Sequence, residues 1–396
     1  MSKILTSDSI RCHLGAKLAL LSLVIGTLGA FLQIGGTSWD VTSHLMLEPE
    51  TFFTPSHTVL YSGIGLLVLS AGIGGFVLFR IKETAGKSYT VAFKLLIVGS
   101  AVSLVAGPSD FLWHEEFGVD GLLSPPHLAL ITGMLINSVA VVVGLVRIQH
   151  THLTHPKETI VRLSIMPAFA ALWFTTKWYA YMFSLPFSNG ENFQFNPDPT
   201  IAVLVATISL PLLNSIMFLA AQKTIGGFGG ATAVTVLVVI LNILTNVIPT
   251  VQPIVSFLPW YLVTAILPAL IADLALNYLP RITKISMKNS QLISGAIIGS
   301  VFYIFSYPMI AWIYSIPFGM SFVSMEGIEA IGNLASDFQN SLRSILPFTV
   351  VPGAIIGMLG AILTLNKTHS PIGKVRNEAT SADSGVSYSP ATPTQE

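Results

Sequence analysis

Ten apolar stretches divide this chain, each close to the roughly 20 residues that carry a helix across a bilayer. They run over about 14–36, 55–80, 88–107, 125–147, 160–185, 200–221, 229–249, 254–278, 289–315 and 345–366. Only 10% of residues are charged, whereas a soluble domain carries about 25%. In hydrocarbon every backbone N–H and C=O must find its partner within the protein, and a helix does this within one segment. The expected fold is an all-α, polytopic transmembrane helix bundle of about ten spans.

The cationic residues set the orientation. Lys3, Arg11 and Lys17 precede the first span, and Arg80, Lys82 and Lys87 separate the second from the third. Arg147, Lys157, Arg162, Lys223, Arg281, Lys284 and Lys288 fall in later connections of the same parity, and Lys367, Lys374 and Arg376 follow the last span. Segments 37–54, 108–124, 186–199 and 250–253 hold no Lys or Arg; Arg343 alone breaks the alternation. The positive-inside rule then predicts a multi-pass protein of the inner membrane with both termini cytoplasmic. The first span is too long for a signal-peptide core and is expected to be retained. A net charge of +0 without a basic block argues against nucleic acid as a partner. The single Cys12 allows neither an internal disulfide nor a thiolate cluster.

Against this apolar background one polar constellation occurs twice. Asp40, His44 and His57 share the spacing D-x3-H-x12-H with Asp110, His114 and His127, 70 positions later. The same register aligns Thr54 with Ser124, Pro55 with Pro125, Leu60 with Leu130, Gly63 with Gly133 and Glu50 with Asp120. Both copies begin on the inner side, so they read as two parallel helix-pair repeats, about 14–81 and 88–148, with their polar residues at the outer face. Residues 1–150 form this duplicated unit, 151–366 add further transmembrane helices, and 367–396 form a polar, disordered cytoplasmic tail. The loop 316–344 contains an amphipathic stretch suited to the membrane surface.

Ionisable groups at membrane depth are functional candidates by default. On a helix, positions i and i+4 share a face, so each Asp can stand beside the first His of its unit. Thr54 and Ser124 are placed to cap the next helix, with Pro55 and Pro125 at the first helical position. His57 and His127 then fall in its first turn. Two imidazoles and one carboxylate suit copper, zinc, iron or nickel, with copper highest in intrinsic affinity. The alternatives are a structural network in which these groups cap helix ends and pair with one another, and a proton or substrate relay.

Other polar residues have plainer readings. Glu115 follows His114 and can orient its imidazole; Glu116 reads as solvated, and Glu50 and Asp120 read as loop caps. Lys177, in the outer half of the fifth span, either faces the bundle interior or extends to the interface among Trp178, Tyr179 and Tyr181. Asp273 is placed to pair with a neighbouring helix. His150, His152 and His155, in HTHLTH, read as a solvated inner loop.

The phrase from Asp40 through His44 to FFTPSH, ending at His57, resembles the C subunit of the copper membrane monooxygenases, the particulate methane and ammonia monooxygenase family. Asp110, His114 and His127 fall where that family carries its second set. The similarity covers roughly residues 20–150, about a third of the chain. It implies two neighbouring metal sites facing the outer side, copper first and zinc or iron next. Asp40, His44 and His57 would form one site and Asp110, His114 and His127 the other, tuned from outside by Glu115 or Lys177. The family works as a complex, so other membrane subunits or a homo-oligomer are the expected partners; in an oxidase reading the metal activates dioxygen and the bilayer supplies a small apolar substrate. Two departures stand out. The family's second set usually begins with Asn where this chain has Asp110, and several spans here have no traced equivalent. A transporter or metal-delivery protein with an outer-face ion site, or a structural assembly subunit, are the competing readings.

Overall fold

The computed structural model describes residues 7–45, 49–81, 86–118, 123–149, 155–184, 199–226, 228–247, 258–283, 285–305 and 349–365, with isolated positions 340 and 344. The helices are α1 (Ser7–Leu45), α2 (Pro55–Arg80), α3 (Gly86–Phe117), α4 (Pro125–Gln149), α5 (His155–Met182), α6 (Pro199–Ile225) and α7 (Gly230–Asn242). They are followed by α8 (Leu258–Thr283), α9 (Met287–Phe305) and α10 (Thr349–Leu365). α7 runs into a π-helical turn, Ile243–Val247. Among the described residues six helices, α1 to α6, hold stretches long and apolar enough to cross a membrane. The described residues thus form an all-helical, membrane-type bundle. The expected amphipathic stretch within 316–344, the tail 367–396, Asp120, His150 and His152 lie outside the described residues, as do the side chains of His44 and His155.

α1 packs along α2, and α3 along α4. In lipid there is no hydrophobic drive between helices, so close backbone approach at small residues supplies the contact. A Cβ on Gly63 would lie 2.6 Å from Gln33 N and 2.8 Å from Gly29 O. A Cβ on Gly133 would lie 2.9 Å from Ser103 N and 3.1 Å from Gly99 O. α9 and α10 cross in the same way, with Gly295 against Gly357 and Gly299 against Gly353. Polar side chains add buried hydrogen bonds. Gln33 Nε2 donates to Ser103 Oγ at 3.2 Å, joining α1 to α3, and Trp173 Nε1 donates to Asn214 Oδ1 at 2.9 Å, joining α5 to α6.

The N-cap of α7 is Gly229, whose φ of 93° suits a residue without Cβ and which has no side chain to cap the helix. Asp273 of α8 supplies the cap instead. It accepts from Ala231 N at 3.2 Å, Thr232 N at 2.8 Å and Thr232 Oγ1 at 2.7 Å. The expected pairing of Asp273 with a neighbouring helix takes this form.

Two expectations need correction. α1 and α3 do not stop at the hydropathy edges near 36 and 107 but run on to Leu45 and Phe117, and α3 passes through Pro108. Membrane helices tolerate such a proline because neighbours re-satisfy the freed carbonyl. The two capping hydroxyls also behave otherwise. Thr54 occupies the N-cap position of α2 without a side-chain cap bond, and Ser124 Oγ is buried without a hydrogen-bond partner. Their carbonyls accept the first helical hydrogen bonds, from Thr58 N at 2.8 Å and Leu128 N at 3.0 Å, as N-cap carbonyls do.

Candidate metal centre

The helical extensions of α1 and α3 carry the acidic residues of both units into the same region as the first turns of α2 and α4. Asp110 and His114 stand one turn apart near the end of α3, and His127 is in the first turn of α4. Asp110, His114 and His127 each offer a ligand atom, all within 4.8 Å of one another. Asp110 and His114 are buried, at 4% and 7% exposure, while the His127 side chain is 20% exposed. His127 Nε2 lies 3.3 Å from Asp110 Oδ1. Two ligands bound at about 2.0–2.1 Å to a tetrahedral metal stand about 3.3 Å apart, so this separation fits a shared ion. The contact does not satisfy the carboxylate, because Asp110 Oδ1 is buried and accepts no hydrogen bond. A buried carboxylate oxygen in that condition is costly without a cation. The donor set therefore fits a metal of nitrogen and oxygen preference.

The first unit is tied differently. His57 is 2% exposed and has acceptors at both ring nitrogens. Nδ1 donates to Thr51 O at 3.0 Å, while Nε2 lies 3.1 Å from Asp40 Oδ1 and 3.3 Å from Glu50 Oε1. A carbonyl oxygen only accepts, so Nδ1 carries a proton and Nε2 points between two carboxylates. That arrangement requires a positive centre at Nε2, either a proton or a metal. Asp40 is oriented by Ser56 Oγ, which donates to its Oδ1 at 2.9 Å. Aromatic rings surround this histidine. Tyr61 stacks on His57 at 5.6 Å, Phe111 meets it edge-on at 6.2 Å, and Phe52 packs on Tyr61 and Phe111 at 5.0 and 5.3 Å.

The two units touch through Glu50. Its Oε1 and Oε2 each lie 3.3 Å from Nδ1 of His114, and its Oε1 is also the oxygen facing His57. The rings of His114 and His127 stand 5.3 Å apart. Glu50, read from sequence as a loop cap, thus stands between the histidines of both units. Its alignment with Asp120 marked it as polar and repeated, but a contact across 64 positions leaves no local signal. Glu115, expected to orient an imidazole, is exposed, as is Glu116; the carboxylate beside His114 is that of Glu50. Lys177 is held by aromatic faces, with Nζ 4.3 Å above Trp173 and 5.6 Å from Tyr181. Such cation–π contacts replace part of the lost hydration.

An apolar groove of about 630 Å³ runs between α3 and α4 beside the second set, lined by Ala101, Val105, Ser109, Trp113, Pro126 and Ala129 among others. Ser109 and Trp113 are the chain neighbours of Asp110 and His114, and Pro126 directly precedes His127.

No protein family, characterised protein or solved structure matches the chain.

Proposed function

We propose that this chain is an integral membrane metal protein, a divergent relative of the copper monooxygenase C subunit, with copper as its metal. The observation that carries the reading is the convergence of Asp110, His114 and His127, with a buried Asp110 oxygen that accepts no hydrogen bond. Two imidazoles with one carboxylate suit copper, with zinc and iron the next candidates. The cationic loops support a ten-span, inner-membrane topology with both termini cytoplasmic and the site toward the outer face. The 70-residue duplication draws support from packing, since Gly63 meets Gly29 and Gln33 as Gly133 meets Gly99 and Ser103.

In this reading Asp110, His114 and His127 hold one ion, and Asp40, His44 and His57 hold the other. The rings of Phe52, Tyr61 and Phe111 exclude water from the inner side of His57. The groove between α3 and α4 admits a small apolar substrate from the bilayer to the exposed edge of His127. Bound copper would supply redox chemistry with dioxygen, within a complex with other membrane subunits or a homo-oligomer.

The test is the metal content of the detergent-purified chain, compared with His57→Ala and His127→Ala. About one to two copper ions per chain, reduced in each variant, is the expected result. Zinc or iron lost in the same variants keeps the site and removes the copper assignment. A folded parent that retains no metal after reconstitution overturns the reading and leaves a structural role for the polar network.

A further inference from the structure

We infer that Glu50 is the positioning residue that joins the two histidine sets into one centre. It orients His114 for the Asp110/His114/His127 set while facing His57 in the other. The inference rests on the metal-binding reading above and goes beyond it, since neither histidine unit contains Glu50.

Glu50 presents both carboxylate oxygens to Nδ1 of His114, each at 3.3 Å. An ionised carboxylate only accepts, so the neutral imidazole places its proton on Nδ1. The lone pair is then on Nε2, which is buried and is the nitrogen left to His114 for a metal shared with Asp110 and His127. Histidines that bind metals almost always donate their other N–H to a carboxylate, carbonyl or water, and loss of that partner weakens binding about 10–100-fold. His57 follows the same rule with a different partner: Thr51 O fixes its Nδ1 at 3.0 Å and leaves Nε2 to face the carboxylates. What Nε2 of His57 meets, besides Asp40, is Oε1 of the same Glu50 at 3.3 Å. One carboxylate therefore sets the tautomer of His114 and contributes negative charge beside His57. A cation at either set draws on the same oxygens, so occupancy of one alters the other.

The contact is also built to last. Glu50 lies two positions from Phe52, which packs on Tyr61 and on Phe111 beside Asp110. The loop that carries the carboxylate is thus pinned to the helix that carries its partner.

The experiment uses the full chain in detergent, in a His57→Ala background so that binding reports on the Asp110/His114/His127 set. Cobalt(II) is the probe, followed by its visible ligand-field bands and by equilibrium dialysis. Glu50→Ala is expected to weaken cobalt binding about 10–100-fold and to change the bands. Glu50→Gln, whose amide oxygen still accepts from Nδ1–H, is expected to recover part of both. Glu116→Ala, at an exposed position two residues from His114, is expected to match the background protein. Glu50→Ala with unchanged affinity and unchanged bands overturns the inference while leaving the metal site standing. If Glu50→Ala does not fold, Glu50→Leu, which fills the space but cannot accept from Nδ1–H, decides, and an unchanged affinity and spectrum in it overturn the inference equally. A parent chain with native helix content that binds no cobalt removes the metal reading itself, and this inference with it.

Discussion

Asp110 and His127, on different helices, hold a carboxylate oxygen and an imidazole nitrogen 3.3 Å apart, yet that oxygen accepts no hydrogen bond. A buried carboxylate in this condition destabilises the metal-free fold and favours a cation. In a His57→Ala background, which disables the other set, Asp110→Asn should therefore leave the metal-free protein as stable as its parent or more so, and should abolish stabilisation by metal. A ligand at roughly 100 times its Kd stabilises by about 2.7 kcal/mol. Thermal unfolding in detergent, with copper and with chelator, checks this. A metal-dependent rise in Tm that survives the substitution excludes Asp110 as a ligand.

Imidazole binds metal only when neutral, so protons and metal compete for His114 and His127. The direction follows directly: affinity falls as the solution is acidified. The fall should be steeper in the parent than in His127→Ala, which has one fewer competing imidazole. Metal titrations at several pH values measure the slope. Equal slopes in the two proteins remove His127 from the site.

Much of this was legible in the sequence. The apolar periods located α1 to α6, and the repeated D-x3-H-x12-H spacing named Asp110, His114 and His127 as one set. What escaped detection has physical causes. Hydropathy falls at 37–54 and 108–124 because the side chains there are polar, but a helix persists wherever those side chains satisfy one another, as Asp40 does with Ser56 and His57. Thr54 makes no side-chain cap bond; its hydroxyl lies instead 3.4 Å from Ser56 Oγ, a side-chain contact that spacing along the chain does not reveal. Glu50 escaped because its partners lie on another helix pair, where spacing along the chain carries no information.

The two glycines that set the helix-pair spacing give a stability test with a built-in control. A Cβ on Gly63 meets the backbone of α1 at 2.6 Å, whereas one on Gly65 meets nothing within 4 Å. Gly63→Ala should cost about 1–3 kcal/mol by forcing α1 and α2 apart. Gly65→Ala should be neutral or stabilise by about 0.5–1 kcal/mol, because alanine favours the helix. Gly133→Ala should behave like Gly63→Ala, with a Cβ 2.9 Å from Ser103 N. Unfolding midpoints of the three variants decide, and equal stability of Gly63→Ala and Gly65→Ala contradicts the close packing.

The Asp273 cap makes the last prediction independent of any metal. Its carboxylate accepts three hydrogen bonds from Ala231 and Thr232 at the start of α7, where Gly229 has no side chain to offer. Removing it leaves buried N–H groups unsatisfied and strips a negative charge from the positive end of the helix. Asp273→Ala should destabilise the protein by about 1–3 kcal/mol. Asp273→Asn should cost less, because one amide oxygen still accepts. Neither variant should change metal affinity, since the cap joins α7 to α8 and the His/Asp sets are carried by α1 to α4 and the turn at Glu50. Unfolding midpoints and cobalt titrations on the same preparations separate the two effects. A loss of cobalt binding in folded Asp273→Asn would tie the second half of the bundle to the metal centre.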